Sequence, residues 1–213
     1  MSRRIREIKK KLDDVAADRS KFQLDVRSEK SQIVARGVRE ETHSFVREEQ
    51  VIGREKDRLA IVELLLEDQF EENVSVIPVV GMGGLGKTTL AQLAFNDEKV
   101  QNHLELKVWV CVSDVFEMKQ VLQQIIKSAA NPKSPGDLQM DQMQKQLRSE
   151  LNGKRYLLIL DDVWNVDREK WLRLKDLLLG GKEGSRIMVT TRSKMVAEIT
   201  RTEAEAYHLG ILD

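Results

Sequence analysis

The sequence predicts an α/β fold in which a mainly parallel sheet of five strands is covered by helices on both faces. From residue 51 onward, short apolar runs alternate with longer segments whose apolar residues recur at helical spacing. The runs are apolar at nearly every position, which indicates strands buried on both faces. Alternation of strands and helices favours parallel strands joined by helical crossovers. At 213 residues, the chain is long enough for one sizeable core and an additional element.

Five apolar runs are the predicted strands. They lie at residues 74–80, 107–112, 156–160, 186–191 and 205–209. Pro78 falls within the first of them, although proline removes a donor from the hydrogen-bond ladder of a sheet. We therefore expect either a bulge at Pro78 or a position whose N–H would face no neighbouring strand.

Six segments carry the apolar spacing of helices. They lie at residues 59–66, 90–95, 118–129, 140–151, 171–179 and 195–199. The segment 118–129 is the clearest, because its apolar residues recur at three- and four-residue steps and so share one face.

The chain before residue 51 has a different character. Residues 1–26 predict an amphipathic helix with a narrow apolar seam, which Arg19 interrupts. Such a seam packs on a partner helix, either in a coiled coil or within a small bundle. Residues 27–50 are rich in charge and poor in large apolar groups, which predicts a linker. The expected organisation is a helix at 1–26, a linker at 27–50 and an α/β domain at 51–213.

The composition limits which partners and which cellular compartment are expected. The 35 basic and 35 acidic residues cancel, so no overall field favours nucleic acid or an anionic membrane. The first residues lack the apolar region of a signal peptide, and no stretch approaches 18 apolar residues. The single cysteine, Cys111, has apolar neighbours in sequence that predict a buried thiol, as expected in a reducing compartment.

The stretch "GMGGLGKTT" at residues 81–89 follows the first predicted strand directly and opens a helix. That context is the one a phosphate-binding loop requires. Its glycines allow backbone N–H groups to converge on an anion, and the helix N-terminus adds partial positive charge. Lys87 can reach the β- and γ-phosphates, and the Thr88 hydroxyl can bind Mg²⁺. The predicted nucleotide-binding residues here are Gly81, Gly83, Gly84, Leu85, Gly86, Lys87, Thr88 and Thr89. The fold is therefore predicted to be of the P-loop NTPase class.

Two adjacent carboxylates, Asp161 and Asp162, end the run "RYLLIL". They could be a helix cap and a salt bridge, a metal ligand and a catalytic base, or groups that hold a nucleotide without rapid turnover. A strand that ends in Asp beside a phosphate loop commonly fixes Mg²⁺. We therefore predict Asp161 as the metal-side ligand and Asp162 as the residue that faces the attacking water. Asp is one methylene shorter than Glu, and a misplacement of about 1 Å can cost on the order of a hundredfold in rate, which favours slow hydrolysis.

The polar end of the run "IMVTTR" carries a third candidate group. Thr190, Thr191 or Arg192 could reach a γ-phosphate if this strand lies between the other two, and a surface salt bridge is the alternative for Arg192. The tryptophans Trp109, Trp164 and Trp171 are interpreted as core residues. No N-K-x-D or D-x-x-G element supports a GTPase, and no L-S-G-G-Q stretch supports an ABC transporter ATPase.

These motifs together resemble the nucleotide-binding (NB-ARC) region of plant disease-resistance proteins of the coiled-coil type, within the STAND class of NTPase switches. The resemblance covers nearly the whole chain. It is carried, in order, by "VIGREKD", "GMGGLGKTT", "KVWVCVSDVF", "YLLILDDVWN", "GSRIMVTTRS" and "YHLGIL". In that family "VIGREKD" holds adenine, which implies this role for Ile52, Gly53 and Arg54. The N-terminal helix is similar to the end of the family's coiled-coil domain.

The resemblance implies a cytoplasmic immune-receptor switch that binds ADP and ATP with Mg²⁺ and works with the receptor's other domains. The family's Gly-Leu-Pro and Met-His-Asp motifs and its leucine-rich repeats do not occur before Asp213, so we expect a fragment. Residues 1–26 could support self-association or bind a partner helix. Two alternatives stay open: a steady-turnover STAND or AAA-like ATPase, and a coiled-coil interaction scaffold whose nucleotide is structural.

Overall fold

The computed structural model describes residues 41–67, 72–112, 115–130 and 138–212. The predicted helix at residues 1–26 and the first part of the predicted linker, residues 27–40, lie outside the described residues. The compact unit that carries the sheet begins at Glu41.

Five strands form one sheet in the order β2-β3-β4-β1-β5. The strands are β1 (Val74–Val80), β2 (Leu106–Cys111), β3 (Tyr156–Val163), β4 (Ser185–Thr191) and β5 (Tyr207–His208). Every pairing among these strands is parallel. The predicted α/β class and all five predicted strands are therefore confirmed. β4 lies between β3 and β1, which is the placement that the candidate γ-phosphate contact requires.

Pro78 is accommodated because of the side of β1 that it faces. Val76 donates its backbone N–H to the Thr202 hydroxyl at 3.0 Å, and Val80 accepts from Leu209 at 2.8 Å. Both contacts lie on the β5 side of β1. The backbone polar groups of residues two apart on a strand point to the same side, so the Pro78 nitrogen also faces β5. β5 pairs only with Val79 and Val80, so the ladder does not need a donor at Pro78. The second of the two expectations for Pro78 is the correct one.

Seven α-helices lie in the described residues. They are α1 (Glu55–Leu66), α2 (Lys87–Asn96), α3 (Glu98–His103), α4 (Met118–Ala129), α5 (Met140–Leu151), α6 (Arg168–Leu178) and α7 (Lys194–Thr200). α4 and α5 have the predicted bounds at both ends. α3 was not predicted, because it has one turn and a half and buries only Val100. No helix in the described part of the chain is long and apolar enough to cross a bilayer.

The helices cover both faces of the sheet. On one face α4 to α7 bury side chains such as Leu122, Leu147 and Trp171 against the sheet. On the other face α1, α2 and α3 bury Leu65, Leu90 and Val100. Trp171 is therefore a core residue, as predicted. β1 and β4 are buried at every residue, so the strands that lead into the phosphate-binding loop and Arg192 are rigidly held.

Cys111 departs from the prediction. It ends β2, which is an edge strand, and its side chain is only partly buried. An edge strand has a neighbour on one side only, so apolar residues beside it in sequence do not ensure a buried thiol.

Candidate functional site

The loop at residues 81–86 joins β1 to α2 through conformations that need glycine. Gly84 and Gly86 have φ of 81° and 85°, a region that side chains with a Cβ rarely adopt. A Cβ on Gly81 would lie 3.0 Å from the carbonyl oxygen of Leu209. α2 begins directly after Gly86, so its first N–H groups face the loop. The loop is thus a concave set of backbone donors at a helix N-terminus, which suits a phosphate group.

Lys87 lies beneath this loop and is 6% exposed. Its ammonium group donates to the carbonyl oxygens of Gly81 and Met82, both at 2.8 Å. Burial and the nearby charge of Arg192 lower the pKa of Lys87, although Asp162 and Asp161 oppose the shift. An anion in the loop would stabilise the charged lysine.

Asp161 is fully buried at the carboxyl end of β3 and accepts hydrogen bonds from three threonine hydroxyls. Thr88 lies 3.0 and 3.2 Å from the two carboxylate oxygens, and Thr190 donates to Oδ1 at 2.5 Å. Thr42 donates to Oδ2 at 2.8 Å. A carboxylate only accepts hydrogen bonds, so each threonine must be the donor. The oxygen lone pairs of Thr88 consequently stay available to a cation.

Asp162 has a different environment, although it follows Asp161 directly. Its φ is 58°, and a register shift interrupts the pairing of β3 with β4 between Leu160 and Val163. Its backbone N–H donates to the Thr190 hydroxyl at 2.7 Å. Bulges of this kind re-aim a side chain beside functional sites. The Asp162 carboxylate lies 3.7 Å from the guanidinium of Arg192.

Arg192 follows β4 and lies against the phosphate-binding loop. A Cβ on Gly83 would lie 3.1 Å from its guanidinium. The guanidinium also stacks on the ring of Trp164, 4.3 Å from the ring centroid. Trp164 is 38% exposed, so its predicted core position is wrong: it directly follows Val163, the last residue of β3, and lies beside Arg192.

The three polar residues at the end of β4 have separate contacts. Thr190 contacts Asp161, whereas the Thr191 hydroxyl donates to the Val163 carbonyl at 2.6 Å and accepts from the Ser193 N–H at 3.0 Å. Thr191 thus holds the chain at the strand end. Of the three, Arg192 is the one whose guanidinium lies beside Gly83 of the loop.

A groove of about 400 Å³ continues from the loop toward the segment at residues 51–54. Ile52 lies in its wall and is 82% exposed. A Cβ on Gly53, whose φ is 79°, would lie 3.1 Å from the side chain of Leu212. Leu85, Gly86 and Thr89 form the loop side of the same groove.

Arg54 borders the groove, but its guanidinium binds protein groups. It donates to the Asp57 carboxylate at 2.8 Å and to the carbonyls of Leu85 and Gly210 at 2.7 and 2.9 Å. Asp57 also accepts from the Tyr207 hydroxyl at 2.6 Å. Burial raises the pKa of Asp57, but the bonds from Tyr207 and Arg54 and the Arg54 charge hold it below its ordinary value. Arg54 therefore ties α1, the loop and the chain after β5 together.

The donor set at the loop fits a hard divalent cation. Thr88 and Asp161 supply oxygen atoms, which Mg²⁺ prefers, and Mg²⁺ in nucleotide sites takes one or two carboxylates and completes its shell with phosphates and water. No group of three or more His, Cys, Asp and Glu in the described residues could form an all-protein cage. The site therefore suits a metal that arrives with a phosphate-bearing ligand.

Fold and loop together define a P-loop nucleotide-binding domain. The Cdc6p structure from Pyrobaculum aerophilum has a TM-score of 0.55 with this chain at 17% identity, and covers 79% of this chain and 48% of its own. The ORC2 protein of Aeropyrum pernix has a TM-score of 0.56 at 16% identity, over 79% of this chain and 50% of its own. At such identities the likeness shows the fold alone.

The chain belongs to the NB-ARC family, since the NB-ARC domain matches residues 54–213. It is 41% identical to the disease resistance protein RGA2 and 43% identical to the putative disease resistance protein RGA4, both of Solanum bulbocastanum, over its whole length. It is 38% identical to the disease resistance protein RPP13 of Arabidopsis thaliana, over 73% of this chain and 19% of that protein. The chain spans about a fifth (21%) of the length of the Solanum relatives.

Proposed function

We propose that this chain is the nucleotide-binding switch region of a plant immune receptor, which binds ADP and ATP with Mg²⁺ and hydrolyses ATP slowly. The observation that supports it most is the convergence of Lys87, Thr88 and Asp161 at one loop, where an ammonium, a hydroxyl and a buried carboxylate surround a set of backbone donors. That is the combination which a magnesium nucleotide needs.

Each side of the site has an assigned role in this proposal. The loop amides of Gly83, Gly84 and Gly86 donate to the phosphates, and Lys87 exchanges its carbonyl partners for phosphate oxygens. Thr88 and Asp161 hold Mg²⁺, which when bound neutralises charge on the phosphate oxygens. Arg192 contacts the γ-phosphate. The adenine lies in the groove beside Ile52, Gly53 and Arg54.

Asp162 is proposed as the base for hydrolysis. Its carboxylate accepts a proton from water as the water oxygen bonds to the γ-phosphorus and the bond to the ADP oxygen breaks. Arg192, 3.7 Å away, holds the carboxylate near the loop. The short Asp side chain and the ion pair both restrain this base, so we expect turnover well below about one per second, the lower end of ordinary enzyme rates.

The receptor assignment rests on the family. The relatives are multidomain proteins of which this chain spans a fifth, so the other receptor domains are its proposed partners, in the cytoplasm. Residues 1–26 are proposed to support self-association or to bind a partner helix. The balanced charge gives no support to nucleic acid as a partner.

The direct test is Lys87→Ala in the full chain. Removal of the ammonium deletes charge-assisted hydrogen bonds of about 1.5–3 kcal/mol, so ADP affinity should fall about 10- to 100-fold by calorimetry. Lys145→Ala is the matched control, because that lysine is 77% exposed on α5. ADP affinity of Lys87→Ala within twofold of the unsubstituted chain would refute the phosphate assignment.

Turnover and retention distinguish the switch from its alternatives. ADP that co-purifies with the chain, together with turnover well below about one per second, supports the switch. Turnover at or above that rate indicates a steady ATPase instead. A scaffold with a structural nucleotide predicts that ADP, once removed, is not replaced by ATP.

A further inference from the structure

Thr42 contacts the metal-side carboxylate from a part of the chain that precedes the sheet. Residues 42–44, here called the strap, lie against Asp161 and α2. The Thr42 hydroxyl donates to Asp161 at 2.8 Å. Two side chains of α2 hold the strap backbone: Gln92 donates to the His43 carbonyl at 2.5 Å and Asn96 to the Ser44 carbonyl at 2.7 Å. The strap, α2 and β3 therefore meet at Asp161.

The hydrogen-bond polarity at Thr42 is determined by its neighbours. Trp109 Nε1 can only donate, and it lies 3.4 Å from the Thr42 oxygen. The Asp161 carboxylate can only accept. The Thr42 proton must therefore point to Asp161, while its lone pair receives the Trp109 N–H. A hydroxyl aligned in this way can orient the carboxylate, which a methyl group of the same size cannot do.

The arrangement favours orientation of Asp161 over obstruction of it. A carboxylate has about four lone-pair positions, and the three hydroxyl protons of Thr42, Thr88 and Thr190 fill at most three of them, because the single Thr88 proton is shared between the two oxygens. Groups that hydrogen-bond to a metal-ligating carboxylate fix its position and commonly change metal affinity 10- to 100-fold.

We infer that Thr42 is a positioning residue for the magnesium site, and that docking of the strap and binding of Mg²⁺ with nucleotide strengthen each other. The inference rests on the proposed function, since it takes Asp161 as the metal-side ligand. Coupling between two sites is reciprocal: if the docked strap improves Mg²⁺ binding, Mg²⁺ must stabilise the docked strap by the same factor. The strap lies at the start of the compact unit that carries the sheet, so this coupling links the nucleotide site to that end of the unit.

The test compares Thr42→Val, which removes the hydroxyl but keeps the shape, with Thr42→Ser, which keeps the hydroxyl. ADP affinity of the full chain is measured by calorimetry with saturating Mg²⁺ and with excess EDTA. The gain in affinity that Mg²⁺ provides should fall about tenfold in Thr42→Val and persist in Thr42→Ser. Affinity in EDTA should agree within about twofold among all three proteins. Trp109→Phe should reduce the gain in the same direction and by less, because its hydrogen bond is longer.

A second measurement reports on the strap itself. Amide hydrogen exchange at residues 42–46 should be slower with ADP and Mg²⁺ than with ADP and EDTA, in the unsubstituted chain and in Thr42→Ser. The difference should vanish in Thr42→Val. An equal Mg²⁺ gain in Thr42→Val and the unsubstituted chain would overturn the inference, as would strap exchange that Mg²⁺ leaves unchanged or accelerates.

Failure of the proposed function has a separate signature. If the unsubstituted chain does not bind ADP, or binds it equally with Mg²⁺ and EDTA, the magnesium nucleotide site itself is refuted and the inference is refuted with it. If Mg²⁺ strengthens ADP binding equally in all three proteins, the site stands and only the role of Thr42 is wrong.

Discussion

The proposed phosphate side and the proposed adenine side of the site are built in different ways. The phosphate side (Lys87, Thr88, Asp161, Asp162 and Arg192) lies at the carboxyl ends of strands buried at nearly every residue. The adenine side (Ile52, Gly53, Arg54 and Leu212) consists of loop segments in which Ile52 is 82% exposed and Leu212 50% exposed. Asp161, in contrast, is completely buried.

Because of this difference, substitutions on the two sides of the site should have different effects. On the phosphate side, packed strands hold the backbone, so changing one polar atom should alter binding or chemistry while the fold persists. On the adenine side, Arg54 itself holds three segments together, so its loss should alter the fold as well as binding.

The largest effect is expected on the phosphate side, from Asp162→Asn. Asn is among the residues that tolerate a φ of 58°, so the backbone should be kept while the base is lost. Removal of a general base commonly lowers a rate by a factor of about 100 or more. We expect residual ATP hydrolysis to fall by about that factor in single-turnover assays, with calorimetric affinity for ATP and Mg²⁺ preserved.

Two further variants make this comparison specific. Asp141→Asn is the same isosteric change at a site that is 72% exposed on α5, and it should leave hydrolysis unchanged. Asp161→Asn should instead weaken the Mg²⁺ dependence of binding, because the neutral amide removes the negative charge and one of the two acceptor oxygens from the metal side. If Asp162→Asn hydrolyses ATP at the original rate, Asp162 is a structural residue.

A smaller effect, on stability, is expected from Arg54→Ala. The change leaves Asp57 and two carbonyls without their guanidinium partner, at a cost of roughly 2–3 kcal/mol. For a chain of this size Tm should fall by about 5–10 °C in thermal unfolding. Binding of ADP and of inorganic triphosphate should weaken alike, because Leu85 in the loop loses an anchor.

The adenine role of Arg54 predicts a different result. A loss for ADP with inorganic triphosphate unaffected would place the guanidinium on the base after all. Arg173→Ala serves as the control, because that arginine is 68% exposed and pairs with Glu169 one turn away. Its removal should change Tm by about 1 °C or less, as expected for a surface ion pair.

Features of the site that depend on local sequence could be predicted, whereas those that depend on distant residues or on a bulge could not. The loop at residues 81–89 is one continuous stretch, so the spacing of its residues is enough to predict it. Asp161 and Arg192 lie at the carboxyl ends of β3 and β4, and parallel strands end at the same edge of a sheet, so the sequence also predicts that the two residues lie near each other. Thr42 lies 119 positions from Asp161 and has no local signal, so only the folded chain brings the two together. The positive φ of Asp162 and the exposed position of Trp164 depend on a bulge that apolar periodicity does not encode.

The smallest effect is expected from Tyr207→Phe, which removes one hydrogen bond to Asp57 on the adenine side. Burial, together with the bond to Asp57 and its charge, raises the pKa of Tyr207 to about 12, against an ordinary value of 10.0. A raised pKa in the folded state stabilises the protein below the ordinary pKa and ceases to do so as pH rises through the folded value. The lowered pKa of Asp57 has the opposite sign, so its stabilisation is lost as pH falls below about 4.

Denaturant unfolding should therefore show the original chain more stable than Tyr207→Phe by roughly 1 kcal/mol near neutral pH. That difference should shrink between about pH 10 and 12, and again below about pH 4. A difference that stays constant across both windows would mean that Tyr207 contributes through packing alone, and that Arg54 holds Asp57 without its help.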